Sequence, residues 1–441
     1  MATGRTGGSR NRKVGNEDRL IALGDAIDRR SGVTRKSPRG TKRTAKKRRT
    51  STLRRRVTVV ILTVAVIGTG FAGYSFWSLR SSFEKINNLG CKTCLPTIGD
   101  EPFNILSVGS DSRVGLHGSA AAQAGSVSGQ RSDVVKVIHV DPGAQKISVI
   151  SIPRDTMVSL LENTGLYTRF NRINVNYGSG PELLARTITA NFGIPINHIV
   201  EVSFGGLANS VVALGGLYMN FPYRSRDAYS GLRIFHPGCQ HIDGNSALAV
   251  ARSRHFEWFQ NGRWYYDGTS DYGRIYRQDA FLRAMILRAR KEYNPNTIMN
   301  VLAKLPEGIT IDNSFTINNV IALAVKFHNF DPNQMMTYTM PTISPGHVGN
   351  YGSVLVVNQP AAQKLLVNVF GSSLIKPTNP PPNAQLQTPQ PPFVPLPTTT
   401  TSTTVKHTGT TVKHHVTTTT QPAYNPYFFN PTPCFPSQAK K

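Results

Sequence analysis

Three catalytic signatures are missing from the chain. No G-x-x-x-x-G-K-[ST], no G-x-S-x-G and no H-E-x-x-H occurs, which removes P-loop nucleotide chemistry, the nucleophile elbow of α/β-hydrolases and zincin-type hydrolysis. Cysteine is scarce: Cys91, Cys94, Cys239 and Cys434 are the whole complement. A single C-x-x-C with no second pair and no nearby His does not make a zinc site. The four thiols are expected to form disulfides in an oxidising compartment, with all three pairings open. Acid is scarce as well, with 24 Asp and Glu against 50 Lys and Arg. Hydrophobic residues make up 39% of the 441 positions, too few for a chain packed throughout, so part of the length is expected to stay unpacked.

The excess of base is unevenly placed. Residues 1–56 hold 19 Lys and Arg and 4 Asp and Glu. A run such as Lys42 to Arg49 would suit nucleic acid, but the adjoining segment argues against it. From Val57 to Leu79 there are 23 residues without a charge, which as a helix span roughly 34 Å, enough for a bilayer core. Arg54, Arg55 and Arg56 abut one end, and Phe71, Tyr74, Phe76 and Trp77 crowd the other, like an interfacial aromatic belt. The leader is too long for a cleavable signal peptide. The expectation is a plasma-membrane protein that crosses once, its basic tail cytoplasmic and resting on membrane lipid, its main domain outside. No nucleic-acid partner is expected.

The expected organisation is a basic disordered tail (1–56), a transmembrane helix (57–79), a stalk (80–101), a folded domain (102–371) and a Pro/Thr-rich disordered tail (372–441). Within 102–371, strands at Val134–Val140 and Lys146–Ile152 flank Asp141-Pro142-Gly143, the signature of a hairpin. Helical spacing marks Pro181–Phe192, Leu207–Leu214, Asn245–Ala251 and Arg277–Arg290, with Asp243 or Asn245 as the third helix's cap. The alternation predicts an α/β fold with helices covering a sheet.

Arginine and aspartate recur at the ends of these elements: Asp111 and Arg113, Arg131 and Asp133, Arg154 and Asp155, Arg252 and Arg254. Arg274, Arg277 and Gln278 stand at i, i+3, i+4, so one helical face can carry all three. So many guanidiniums would repel one another unless an anion joined them, and arginine binds phosphate bidentately. Asp111 and Asp133 are oxygen ligands of the kind Mg²⁺ takes when it bridges carboxylate to diphosphate. The pattern suits phosphoryl transfer. The same residues also fit solvated surface positions and strand-end salt bridges.

The segments NILSVGSDSR (104–113), RSDVVKVIHVDPGAQKISVISIPRDT (131–156), RINVNY (172–177), HIDGNSALAVARSRH (241–255) and DYGRIYRQ (271–278) resemble, in order, the motifs of the LytR-CpsA-Psr family of cell-wall glycopolymer ligases. The resemblance implies an α/β/α sandwich whose central mixed sheet and flanking helices enclose an apolar lipid-binding cavity. It implies a transferase that moves a phosphoglycan from a polyprenyl diphosphate carrier to peptidoglycan, leaving polyprenyl phosphate. By motif, Asp111 and Asp133 match the metal-site aspartates, for Mg²⁺ or Mn²⁺. Arg131, Arg154, Arg252, Arg254, Arg274 and Gln278 match diphosphate-binding positions, Arg113 and Arg277 neighbouring ones. Arg154, Asp155, Arg252 and Arg254 are the expected catalytic set.

The sequence departs from the family pattern at the insert Phe256–Ser270, whose Trp258, Trp264, Tyr265 and Tyr266 suit either sugar stacking or packing on the domain. It departs also at Asp279, where Gln is frequent, and at Ser203, where Asp is frequent. The insert and the Thr/Pro tail resemble actinobacterial members, whose wall carries arabinogalactan. A lipid diphosphate hydrolase and a non-catalytic wall-binding regulator are the competing readings.

Overall fold

The computed structural model describes residues 58–61, 63, 73, 74, 76–78, 80–95, 100–112, 132–161, 167–291, 308–382 and 428–438. The chain divides into two units, Met1–Phe71 and Ala72–Lys441. In the first, residues 58–61 and 63 are helical, and the Thr63 hydroxyl donates to the Val59 carbonyl at 2.8 Å. Among the described residues no helix is long and apolar enough to cross a membrane. The basic tail 1–56 and most of the expected span 57–79 lie outside the described residues.

The second unit is built on a mixed seven-stranded sheet. Its strands are β1 (Asn87–Leu89), β2 (Phe103–Ser110), β3 (Ser132–Asp141), β4 (Lys146–Ile152), β5 (His198–Ser203), β6 (Ile309–Asp312) and β7 (Met336–Thr339). The order across the sheet is β1-β6-β5-β2-β3-β4-β7. The pairs β1/β6, β5/β2 and β4/β7 are parallel, the others antiparallel. The expected hairpin is β3–β4, closed where Asp141 Oδ1 accepts the Ala144 N–H at 2.8 Å.

The helices that pack around the sheet include, in chain order, α1 (Pro181–Phe192), α2 (Phe204–Ala213), α3 (Gly244–Arg252), α4 (Asp271–Lys291), α5 (Ile317–Lys326) and α6 (Gln359–Phe370). Alternation along the strands separates two apolar faces. Leu106, Val108, Val137 and Ile150 pack against Leu184, Ile188 and Phe192 of α1 and Leu366 and Phe370 of α6. The opposite face meets Leu323 of α5 and Leu282 and Ile286 of α4. A second core joins α2, α3 and α4 to short strands that include Leu217–Phe221 and Glu257–Gln260. Helices on both faces of a mixed sheet agree with the expected α/β class.

Local chemistry sets the helix ends. Ser203 caps α2, its hydroxyl accepting the Gly206 N–H at 3.0 Å. Serine and aspartate are interchangeable N-caps, which accounts for Ser203 in place of Asp. Asp243 caps α3 through the Ser246 N–H at 2.7 Å. Asp271 opens α4, and Arg288, Arg290 and Lys291 close it, matching both ends of the helix dipole.

Two segments expected outside the domain belong to it. In the stalk, Ile86 is buried, β1 pairs with β6, and a Cys91–Cys94 disulfide packs on the core. In the Pro/Thr-rich tail, Ile375 N–H donates to the Gly193 carbonyl at 2.9 Å and Asn379 N–H to Ala190 at 3.0 Å. Gly193, at φ 72°, leaves room for this contact, since a Cβ there would stand 2.1 Å from the Ile375 carbonyl oxygen. Further on, Thr432–Pro433 adds a strand to Leu217–Phe221, and Cys434 is joined to Cys239. A segment too polar to build a core can still add a few apolar side chains to one that exists. Phe429 does so, 5% exposed.

Candidate active site

The site lies at one end of the sheet, where β2, β3, β4 and α4 converge. The register pairs Ser110 of β2 with Ser132 of β3, so Asp111 and Asp133 each follow a paired serine at that corner. β4 ends at Ile152, and Arg154 and Asp155 come just after it, beyond Pro153. α4 lays Arg274 across the same corner. Arg154 Nη1 pairs with Asp133 Oδ1. Arg274 Nη1 is 3.4 Å from Asp133 Oδ2, and its Nη2 donates to the Asp133 carbonyl at 2.8 Å.

From this centre an alternating chain of charge runs both ways. Arg154 Nε lies 3.5 Å from Asp155, and Arg172 Nε 3.2 Å from the same carboxylate. In the other direction Arg274 Nη2 is 2.7 Å from Asp271 Oδ1, and Arg254 Nε is 3.3 Å from the same oxygen. The series Arg172, Asp155, Arg154, Asp133, Arg274, Asp271, Arg254 has a guanidinium at each end. Arg252, whose guanidinium lies 4.9 Å over the Phe204 ring, adds a further positive charge nearby.

The electrostatics follow from this alternation. Burial works to raise the Asp133 pKa, but the charges of Arg274, Arg154 and Arg254 outweigh it and hold the carboxyl below its ordinary value. Burial lowers the pKa of Arg154, and Asp133, Asp155 and Asp271 more than offset it, for a net rise. For Arg274 burial prevails and the pKa falls, although a guanidinium stays charged. Arg154, Arg172 and Arg254 hold their Nε atoms at ion-pair distance from Asp155 and Asp271 but outside hydrogen-bond geometry, and the buried Nε atoms of Arg274 and Arg277 have no hydrogen-bond partner among the described residues. The network sets four guanidiniums against three carboxylates, and that surplus of positive charge suits an acceptor-rich anion.

Beside the network opens a cavity of about 250 Å³. Its floor is the α4 side of the sheet, with Ser107, Val134 and Ile138. Its walls are Leu207 of α2, Leu248 of α3, and Phe281, Leu282 and Met285 of α4. Asp133, Arg252, Arg274 and Gln278 also line it, so the apolar hollow meets the charged network. Gln278 donates to the Ala251 carbonyl at 3.0 Å and ties α4 to α3. Lys136 also lines the hollow, and its Nζ sits buried 2.6 Å from Asp279 and 2.6 Å from the Ser151 hydroxyl.

Of the residues read from sequence, Asp133, Arg154, Asp155, Arg254 and Arg274 meet in the network, while Arg252 and Gln278 meet it from the cavity. Asp111 sits at the same end of the sheet. Arg113 and Arg131 lie outside the described residues. Arg277 does not join the network. It is fully buried on another side of α4, where Nη1 donates to Asp267 at 2.8 Å and to Asn430 at 2.6 Å, and Nη2 to the Ser253 carbonyl at 2.9 Å. Residues i and i+4 share a face, and the i+3 residue is drawn aside by Asp267.

Sequence reasoning missed Arg172 and Asp271. They open the motifs RINVNY and DYGRIYRQ, and the signal available was that a row of arginines needs counter-charges. Among the described residues no group of three or more His, Cys, Asp or Glu gathers as a metal site. Asp111 and Asp133 supply hard carboxylate oxygens, and Asp133 is held below the ordinary carboxylate pKa, so the donor chemistry fits a hard cation.

The model of the LytR_cpsA_psr family matches residues 81–369. A probable cell wall biosynthesis protein LcpB of Corynebacterium glutamicum is 30% identical over 238 residues, 53% of this chain and 52% of the relative, about half its length. The polyisoprenyl-teichoic acid–peptidoglycan teichoic acid transferase TagU of Enterococcus faecalis is 28% identical over 60% of this chain and 80% of its own. Among solved structures, a LytR-Csp2A-Psr enzyme from Actinomyces oris superposes with a TM-score of 0.52 at 20% identity, covering 67% of this chain and 99% of that one.

Proposed function

The chain belongs to the LytR-CpsA-Psr family, and from that premise we propose that it transfers a phosphoglycan from a polyprenyl diphosphate carrier to a hydroxyl of peptidoglycan. The observation that carries the proposal is the alternating network, whose four guanidiniums outnumber its three carboxylates, set against an apolar hollow. Diphosphate needs the first and a lipid chain needs the second. The Enterococcus relative, named for a polyisoprenyl-linked donor and a peptidoglycan acceptor, supports both ends of the reaction.

In the step, an acceptor hydroxyl oxygen attacks the phosphorus that bears the glycan. A new P–O bond forms, the P–O bond to the lipid phosphate breaks, and polyprenyl phosphate departs with the electron pair. The acceptor's proton passes to solvent. Such a transition state is loose, and catalysis is mostly positioning and charge stabilisation. Arg154, Arg254 and Arg274 bring their positive charge to the phosphoryl oxygens, and Arg252 sits where the lipid phosphate meets the cavity. Asp133, held below the ordinary carboxylate pKa, is a weak proton acceptor at neutral pH, so its role is to fix Arg154 and Arg274. Asp155 does the same between Arg154 and Arg172. A Mg²⁺ or Mn²⁺ held by Asp111 and Asp133 would neutralise diphosphate charge.

The hollow of about 250 Å³ takes the stretch of polyprenyl chain next to the phosphate. The uncharged run Val57–Leu79 is the proposed membrane anchor. The Corynebacterium relative supports an actinobacterial acceptor wall, with arabinogalactan as the finer reading.

Arg154→Ala is expected to lower release of polyprenyl phosphate about 100-fold or more, by analogy with loss of one transition-state donor, with an unchanged circular dichroism spectrum. Wild-type turnover in that variant would sink the assignment. Incorporation of labelled glycan into peptidoglycan separates transfer from hydrolysis by water.

A further inference from the structure

The insert after Arg254 carries aromatic residues in two kinds of surroundings. Trp258 is buried against Phe429, the rings parallel and 3.9 Å apart. Trp264 lies under the Arg226 guanidinium at 4.0 Å. Both are packing residues. Tyr266 is 51% exposed, and Tyr229, from an adjacent turn, is 78% exposed. Between them stands His255, also exposed. Its ring centre is 4.5 Å from that of Tyr229 and 6.1 Å from that of Tyr266, and its Nδ1 is 3.0 Å from the Tyr266 hydroxyl.

These rings are held in place from below. Asp227 is 1% exposed. Its Oδ1 accepts the Tyr229 and Ser230 N–H groups at 2.9 and 3.1 Å, and its Oδ2 accepts the Ser253 hydroxyl and the His255 N–H at 2.7 and 2.9 Å. One buried carboxylate thus ties the turn presenting Tyr229 to the chain presenting His255. Beside Tyr266, the buried Asp267 is locked to Arg277 at 2.8 Å. Grouped aromatics kept rigid in solvent are surfaces for a partner rather than for the core.

We propose that Tyr229, His255 and Tyr266 form a platform for a sugar ring of the acceptor, a pyranose in a β-linked N-acetylhexosamine chain. The proposal rests on the transferase reading and names the part of that site which takes the second substrate. Flat aromatic faces meet the C–H face of a pyranose, while the two phenol hydroxyls and the imidazole at the rim meet ring hydroxyls and the acetamido group. Position selects the acceptor rather than the donor's own glycan. His255 directly follows Arg254, the last guanidinium of the charged series. The cavity is lined by Arg252 but by neither Arg254 nor any of the three rings. Attacking and leaving oxygens lie roughly in line in phosphoryl transfer. The leaving oxygen belongs to the lipid phosphate on the cavity side, so the attacking hydroxyl arrives from outside the cavity, where Arg254 hands over to His255. The donor glycan hangs from the phosphorus off that axis.

The test pairs Tyr229→Ala/Tyr266→Ala with Tyr229→Phe/Tyr266→Phe, using a β-1,4-linked N-acetylhexosamine tetrasaccharide as acceptor. The alanine pair is expected to raise the acceptor KM about ten-fold, the loss of two aromatic contacts of modest strength, while kcat and lipid diphosphate affinity stay unchanged. The phenylalanine pair should keep most of the affinity. A titration of the tetrasaccharide into lipid-free protein, followed by NMR, should show the same order. Wild-type KM and wild-type tetrasaccharide affinity in the alanine pair overturn the platform. A wild-type protein that binds no lipid diphosphate and transfers nothing overturns the transferase reading instead, and the lipid-free titration still decides the platform.

Discussion

Arg274 and Arg277 stand three positions apart on α4, and their surroundings differ in kind. Arg274 shares two carboxylates with neighbouring arginines. Arg277 directs its terminal nitrogens to Asp267, Asn430 and Ser253, with its guanidinium 4.7 Å from the centre of the Phe256 ring. Removing Arg277 leaves Asp267 buried without its counter-charge. Arg277→Met should therefore lower the unfolding free energy by about 3–5 kcal/mol, measured by denaturant titration, while the folded fraction binds lipid diphosphate as before. A loss of lipid affinity with no loss of stability would return Arg277 to the site. The motif spelling was legible and the direction of each side chain was not. Asp267 lies ten residues back and Asn430 lies far along the chain, so nothing local to DYGRIYRQ distinguishes its second arginine from its first. Asp271 was in plain view, as an i, i+3 partner of Arg274, once the arginines are asked for their counter-ions.

At the scale of elements, periodicity and turn chemistry sufficed where a segment's fate depends on its neighbours in sequence. The β3–β4 hairpin, α1 and the Asp243 cap of α3 are of this kind. They failed where it depends on distant surface. Residues 428–438 are a short run in a polar tail, yet Phe429 stacks on Trp258 and Asn430 accepts from Arg277. A chain ending at position 427 should unfold at a lower temperature. Its tryptophan emission should shift to the red as Trp258 loses its cover, since a buried aromatic of this size is worth about 3–5 kcal/mol on removal. Emission and melting temperature equal to those of the full chain would show that the strap contributes nothing. The Cys239–Cys434 pairing was unreadable for the same reason: composition offers three pairings and only the docked strap selects one.

For the whole molecule, buried carboxylates set the response to acid. Asp133 is held low by Arg274, Arg154 and Arg254 against burial, and Asp227 by its hydrogen bonds from Ser253, His255, Ser230 and Tyr229. Asp312, likewise against burial, is held low by His198, Ser314 and the Ile199 N–H. Each has a folded pKa below the ordinary 3.8, so each contributes stability that is complete above that value and is lost as pH falls through the folded pKa. Thermal unfolding followed from pH 7 downward should be flat in these contributions until about pH 4 and then drop steeply; a midpoint that rises below about pH 4 would contradict it. The three aspartates belong to the anion site, the aromatic platform and the β5–β6 pair, so the acid transition reports on separate regions at once. The broad class of the fold was legible because strands and helices alternate, while the extent of the domain was not, since β1 and the strap are defined by what they dock on. The Cys239–Cys434 bond has one more effect. It closes the chain into a ring that contains α3, α4, α5 and α6 together with residues 383–427. A ring can be cut once and remain a single covalent object, so one hydrolysed peptide bond in that stretch would leave the strap still fastened to the body it covers.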